Sequence, residues 1–98
     1  MYTGTLTADL LLGDLHSLKE KRAVVRPIVA ELRRRFAVAA AEVGDTDLHR
    51  RAQVGLAAVA GQPAQVVDVL DACERLLADR PEVTLLSVHR QLISGDDL

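Results

Sequence analysis

Apolar and polar positions alternate from Tyr2 to Leu12. Gly4, Leu6, Ala8, Leu10 and Leu12 fall on one face, and Thr3, Thr5, Thr7 and Asp9 on the other. A period of two with β-branched threonines predicts a half-buried strand. Gly13-Asp14 breaks it. The spacing then becomes helical: Leu18, Val25, Ile28, Val29, Leu32 and Phe36 share a stripe that predicts a helix from Leu18 to Arg35. Ser17-Leu18-Lys19-Glu20 has the form of a capping box, which sets a serine oxygen and a glutamate over the first free N–H groups. Pro27 lies inside this helix without an N–H to donate, so a kink is expected there. The continuous stripe favours one bent helix over two shorter ones.

Residues 36–43 are weakly patterned. Val38 and Val43 suggest a strand, whereas the alanines between them favour helix. Gly44-Asp45-Thr46-Asp47 has turn composition. Alternation returns from Ala52 to Ala60, and Gly61-Gln62-Pro63 ends it, with Pro63 suited to the first turn of a second helix. Val66, Val69, Leu70, Cys73, Leu76 and Leu77 give that helix a narrow apolar face to about Asp79. Arg80-Pro81 stops it, and Glu82–Ile93 has strand character. Leu85-Leu86 interrupts the alternation there, which predicts a bulge or burial on both sides. Residues 1–93 thus form one domain of order β-α-β-β-α-β, and 94–98 a frayed tail. Right-handed crossovers place both helices on one face of a four-stranded antiparallel sheet, the α+β ferredoxin-like arrangement.

Composition narrows what such a domain could do. Of the 98 residues, 42 are Ala, Val or Leu, and Tyr2 and Phe36 are the only aromatics, so the chain has no aromatic wall for a planar ligand. No apolar run is long enough to span a membrane, and no charged-then-apolar segment opens the chain, so neither a spanning helix nor a secretory signal is expected. A single cysteine, Cys73, fits a reducing, cytoplasmic compartment. It lies mid-stripe on the second helix and should be a buried, inert thiol.

Charge is unevenly spread. Residues 15–40 hold seven cations and two anions in a chain whose net charge is −2. At about 100° per residue, Lys19, Arg22, Arg26 and Arg33 fall within roughly 60° of arc beside the apolar face. The stripe is ~21 Å long at 1.5 Å per residue, enough to follow several phosphates of an RNA backbone. Lys21, Arg34 and Arg35 add charge at its ends, and Ala23 and Ala30 beside it would let a partner approach closely. The plainer alternative is that these cations only solvate a surface helix, pairing with Glu20, Glu31 or a second helix that turns Asp68, Asp71 and Asp79 outward. The outer face of the sheet would carry Thr3, Thr5, Thr7, Gln53, Gly55 and Ala57. An RNA-recognition motif of this topology stacks bases on aromatics at such positions, so stacking is disfavoured here and dimerisation through this face is expected.

No catalytic set emerges. His16, His49 and His89 stand singly, without the convergent ligands that zinc requires, and no glycine-rich phosphate loop is present, so neither metal nor cofactor is expected. Glu42, Asp45 and Asp47 precede His49, Arg50 and Arg51. Without a nucleophile they suit a polar turn, with Asp47 capping it or pairing with Arg50 or Arg51, better than an acid–base site. Acylphosphatases share the topology but need an asparagine, and this chain has none. An enzyme acting on a small phosphorylated substrate has only the arginines in its favour.

The string Ser17-Leu18-Lys19-Glu20-Lys21-Arg22 follows directly on the first strand. With Phe36, Val38, Ala41-Glu42-Val43, the Asp47–Ala52 segment and Pro81-Glu82-Val83, it resembles the YlxP-like family of small bacterial proteins of unknown function. The resemblance extends to about Ile93, departing at His49, where the family commonly has tryptophan. It implies a ferredoxin-like fold and no established catalytic residues. Family genes often lie beside those for transcription-elongation, translation-initiation and ribosome-maturation factors and a tRNA pseudouridine synthase, which implies a role in ribosome assembly or translation. The resulting expectation is an accessory protein that touches structured RNA through its first helix. The rival is a protein-interaction module or homodimer that meets an acidic surface without RNA.

Overall fold

The computed structural model describes residues 1–95. Its elements run β1 (Tyr2–Leu12), α1 (Leu18–Arg35), β2 (Ala39–Val43), β3 (Arg51–Ala60), α2 (Pro63–Asp79) and β4 (Val83–Ser94). They form one antiparallel sheet of order β2-β3-β1-β4, the ferredoxin-like arrangement expected from the periodicity. Leu6, Ala8, Leu10 and Leu12 of β1 and Ala52, Val54 and Leu56 of β3 pack on one side against both helices. From α1 the core takes Val25, Ile28, Val29 and Leu32. From α2 it takes Val66, Leu70, Cys73, Leu76 and Leu77. At about 1.5–3 kcal/mol per fully buried large aliphatic side chain, this layer is the main source of stability.

Local chemistry explains several boundaries. Ser17 is extended and its Oγ accepts the Glu20 N–H at 3.1 Å, so the expected cap forms. Glu20 Oε2 accepts the main-chain N–H of His16 at 2.8 Å, one residue before the donor a capping box would use. α1 is a single helix through Pro27. Ala23 and Pro27 are both exposed, so the carbonyl that Pro27 cannot serve faces solvent. The alanine run of β2 is strand because it pairs with β3 from Ala39↔Ala57 to Val43↔Gln53, and that pairing outweighs alanine's helical preference. Between β1 and β4 the register shifts, with Asp9 opposite Ser87 and Leu10 opposite Leu85. Leu86 is therefore the extra residue of the bulge expected at Leu85-Leu86.

Gly4 lies where α2 crosses β1. A Cβ there would collide with Val66 Cγ1 and come within 3.0 Å of Leu70 Cδ1, so glycine sets how closely helix and strand approach. At the same end of the sheet β4 reaches Ser94, inside the segment expected to fray. Gly95 also donates its N–H to the Met1 carbonyl at 2.7 Å. The rest of that expected tail, residues 96–98, lies outside the described residues.

Candidate nucleic-acid interface

The seven cations of α1 do not share one environment. Lys21 turns inward and is 1% exposed. Its Nζ pairs with Glu42 Oε2 at 2.9 Å and donates to the Thr46 carbonyl at 3.1 Å. Helix spacing explains this, because positions 18, 21, 25, 28 and 32 form one stripe and Lys21 occupies its second place. Glu42 reaches it from the helix side of β2, since its register partner is the buried Val54. The expectation that Lys21 supports a binding surface is thereby corrected. Its ammonium bridges α1, β2 and the following loop, and a group so enclosed meets no external ligand.

Lys19, Arg22 and Arg26 are exposed along one side of the helix. Together with Ala23 and Pro27 they line a shallow hollow of about 380 Å3. Among the described residues these three and Arg34 have no carboxylate at ion-pair distance. Arg33 and Arg35 are partly engaged. Arg33 Nε donates to the main-chain carbonyl of Ala40 at 2.8 Å, so its side chain lies across the outer edge of β2. Arg35 pairs with Glu31 at 3.1 Å and lies 5.4 Å from the Phe36 ring centroid. The three terminal arginines also oppose the partial negative charge of the helix end.

The acidic second helix does not neutralise this stripe. Asp71 and Glu74 both bind Arg90 of β4, at 2.8 and 3.1 Å. Glu31 is shared between Arg35 and Arg80, and Arg80 also meets Glu82 at 2.8 Å. Of the counter-charges proposed for α1, only Glu31 holds one of its cations, and that cation is Arg35.

Between α1 and the β2 edge runs a groove of about 420 Å3. Arg22, Arg26 and Arg33 line it, over a floor of Val25, Val29, Ala30 and Ala41. Glu42 is the one carboxylate in its wall, and Lys21 already pairs with it. Past Arg33 the surface continues onto the open face of the sheet. A depression there is lined by Thr5, Thr7, Ala39, Ala41, Val43, Gly55 and Ala57, with Val59 64% exposed nearby on β3. The strand side chains around this depression are small and β-branched.

One polar constellation on that face escaped the sequence analysis. Asp9 on β1 accepts from Gln53 Nε2 of β3 and from Ser87 Oγ of β4, both at 3.0 Å, and Arg51 is 4.0 Å away. The two hydrogen bonds, then the nearby cations, hold its carboxyl below its ordinary value of 3.8. The register made this trio findable, since Asp9 is opposite both Gln53 and Ser87. It ties β1 to both of its neighbours, β3 and β4. In the β2–β3 loop it is Asp45, not Asp47, that caps the turn, accepting the Asp47 N–H at 3.0 Å. Glu42 is drawn away from that cluster to Lys21. Burial pushes the Cys73 thiol up, so it is a poor nucleophile.

Comparison with known proteins places the chain. A family model described as a protein of unknown function, DUF503, matches residues 3–90, from the second residue of β1 into β4. The chain belongs to the DUF503 family. The uncharacterized protein YlxP of Bacillus subtilis (strain 168) is 31% identical to it over 80 residues, covering 82% of this chain and 87% of that one. The resemblance carried by Ser17–Arg22 is therefore shown. Within residues 17–22, Ser17, Glu20 and Lys21 each have a structural task, and Lys19 and Arg22 are left facing solvent.

Proposed function

We propose that this protein is a bacterial, cytoplasmic, non-enzymatic accessory protein that touches structured RNA, ribosomal RNA above all, through α1. Lys19, Arg22, Arg26 and Arg33 contact phosphates, and Arg34 supports them. What carries the proposal is the set of cations on one helix without a carboxylate partner among the described residues, in a chain with net negative charge where Asp71 and Glu74 of α2 pair with Arg90 of β4 instead. Such contacts supply affinity and orientation rather than sequence readout. Sedimentation of cell lysate through sucrose gradients at low and high salt tests it. Wild-type protein should travel with a ribosomal particle at low salt and leave it at high salt, and K19E/R22E/R26E should stay at the top in both. Wild type at the top under both conditions defeats the proposal.

The open face of the sheet favours a second reading, a homodimer. Val43 and Val59 stand exposed there, and the strand residues that line the depression, Thr5, Thr7, Ala39, Ala41, Val43, Gly55 and Ala57, carry no charge. Analytical ultracentrifugation of V59K decides it. A dimer that becomes a monomer supports this interface, and a wild-type monomer at high concentration removes it.

A further inference from the structure

The RNA reading leaves open where on α1 a phosphate sits, on the solvent-facing hollow or in the groove against β2. We infer that the α1–β2 groove is the phosphate site, holding a phosphodiester of the nucleic-acid backbone between Arg22, Arg26 and Arg33, with the sugar edge against Ala30 and Ala41. The inference rests on the proposed RNA contact and specifies its ligand-binding atoms.

Three observations converge on the groove. First, Arg33 is pre-positioned. Its Nε is fixed to the Ala40 carbonyl at 2.8 Å, so the guanidinium is held at the rim while its terminal nitrogens keep their donors. A tethered guanidinium loses less side-chain freedom on binding than a free one. Second, the groove's only carboxylate is neutralised. Without Lys21, Glu42 would oppose an anion, but the buried 2.9 Å pair leaves Arg22, Arg26 and Arg33 as the uncompensated charges of the wall.

Third, the edge strand supplies a main-chain donor. In an antiparallel ladder alternate residues turn both N–H and C=O away from the neighbouring strand. The Ala40 carbonyl meets Arg33 on the outside of β2, so Ala40 is such a residue, and by the same alternation the Glu42 N–H also points outward at the groove. A phosphate is the ligand that uses both kinds of donor, because its oxygens accept from guanidinium and amide together. The solvent-facing hollow of Lys19, Arg22, Ala23, Arg26 and Pro27 has no comparable tether or main-chain donor. The aliphatic floor of the groove accommodates the apolar edge of a ribose.

Amide NMR on the full chain, titrated with a ten-nucleotide single-stranded RNA of mixed sequence, tests this directly. The largest shifts should fall on Ala30, Ala41 and Glu42. A30L fills the groove without altering charge, and Ala30 is exposed, so the fold should be retained. It should weaken binding at least about tenfold. R33Q, which removes the charge, should make the log–log salt slope shallower by about 0.7, the value of one phosphate contact on a single strand. If the RNA binds but shifts cluster at Lys19, Ala23 and Pro27 and A30L binds like wild type, the groove assignment falls while the RNA contact stands. If the oligonucleotide produces no shifts and the lysate protein does not sediment with ribosomal particles, both fall together.

Discussion

Lys21→Met removes an ammonium from the base of α1 while keeping most of its aliphatic stem. Glu42, whose side chain is 20% exposed, then loses the only cation at ion-pair distance from it among the described residues, and the Thr46 carbonyl loses a donor. Breaking a buried ion pair by deleting one partner costs about 3–5 kcal/mol, most of it the penalty of the charge left behind. Glu42 keeps some access to water and Thr46 is exposed, which places this variant near the low end, at about 3 kcal/mol. For a domain of this size that lowers the Tm by roughly 12–24 °C, at about 4–8 °C per kcal/mol. The chain has no tryptophan, so urea unfolding followed by far-UV circular dichroism is the suitable assay. K21M/E42L, which replaces both charges with apolar groups, should recover to within about 1 kcal/mol of wild type. At a temperature where K21M is fully folded, its RNA binding should match wild type, because the ammonium does not reach solvent. A K21M loss below about 1 kcal/mol, or a double variant no more stable than K21M, would refute this account of the pair.

Other consequences follow from single sites. Gly4→Ala forces a methyl into Val66 and Leu70 where α2 crosses β1, and should destabilise by about 1–3 kcal/mol in the same urea assay, with G4A/V66A partly restored. Asp9 has a folded pKa below its unfolded one, so its contribution is present above the unfolded value near 3.8 and is lost as pH falls through the lower folded value. Thermal unfolding should therefore show stability declining below about pH 4, with a shallower decline in Asp9→Asn. Cys73 should resist a thiol reagent in the native protein and react fully in denaturant; fast native labelling would contradict its burial on α2.

The periodicity of the chain carried most of the architecture. Alternation around Leu6–Leu12 and Ala52–Ala60 is what a sheet with one buried face demands, and the Ser17 cap fixes where α1 begins. β2 was harder to see because three alanines carry no strand preference of their own, and their conformation is set by pairing with β3. Lys21 was legible in spacing and obscured by chemistry. It lies three residues after Leu18 and four before Val25, on the apolar stripe, but a charged residue there makes sense only once Glu42, far along the chain, is known to arrive beneath it. The tether of Arg33 is less legible still, because its acceptor is a main-chain carbonyl, which no side-chain pattern announces. The uneven charge of α1 was visible at once. What the fold added is the division of those cations, among the described residues, into one buried, two partly engaged and four without a carboxylate partner.

The central claim, that the basic side of α1 binds RNA phosphates, is tested most directly by affinity for a ribosomal RNA fragment across salt concentrations, for wild type and for K19E/R22E/R26E. Four contacts, from Lys19, Arg22, Arg26 and Arg33, predict a log–log slope of roughly −3 on single-stranded segments. In the triple variant binding should collapse, because three attractions become repulsions while the Arg33–Ala40 bond and the core are untouched. Equal affinity and equal slope for the two proteins would contradict the account.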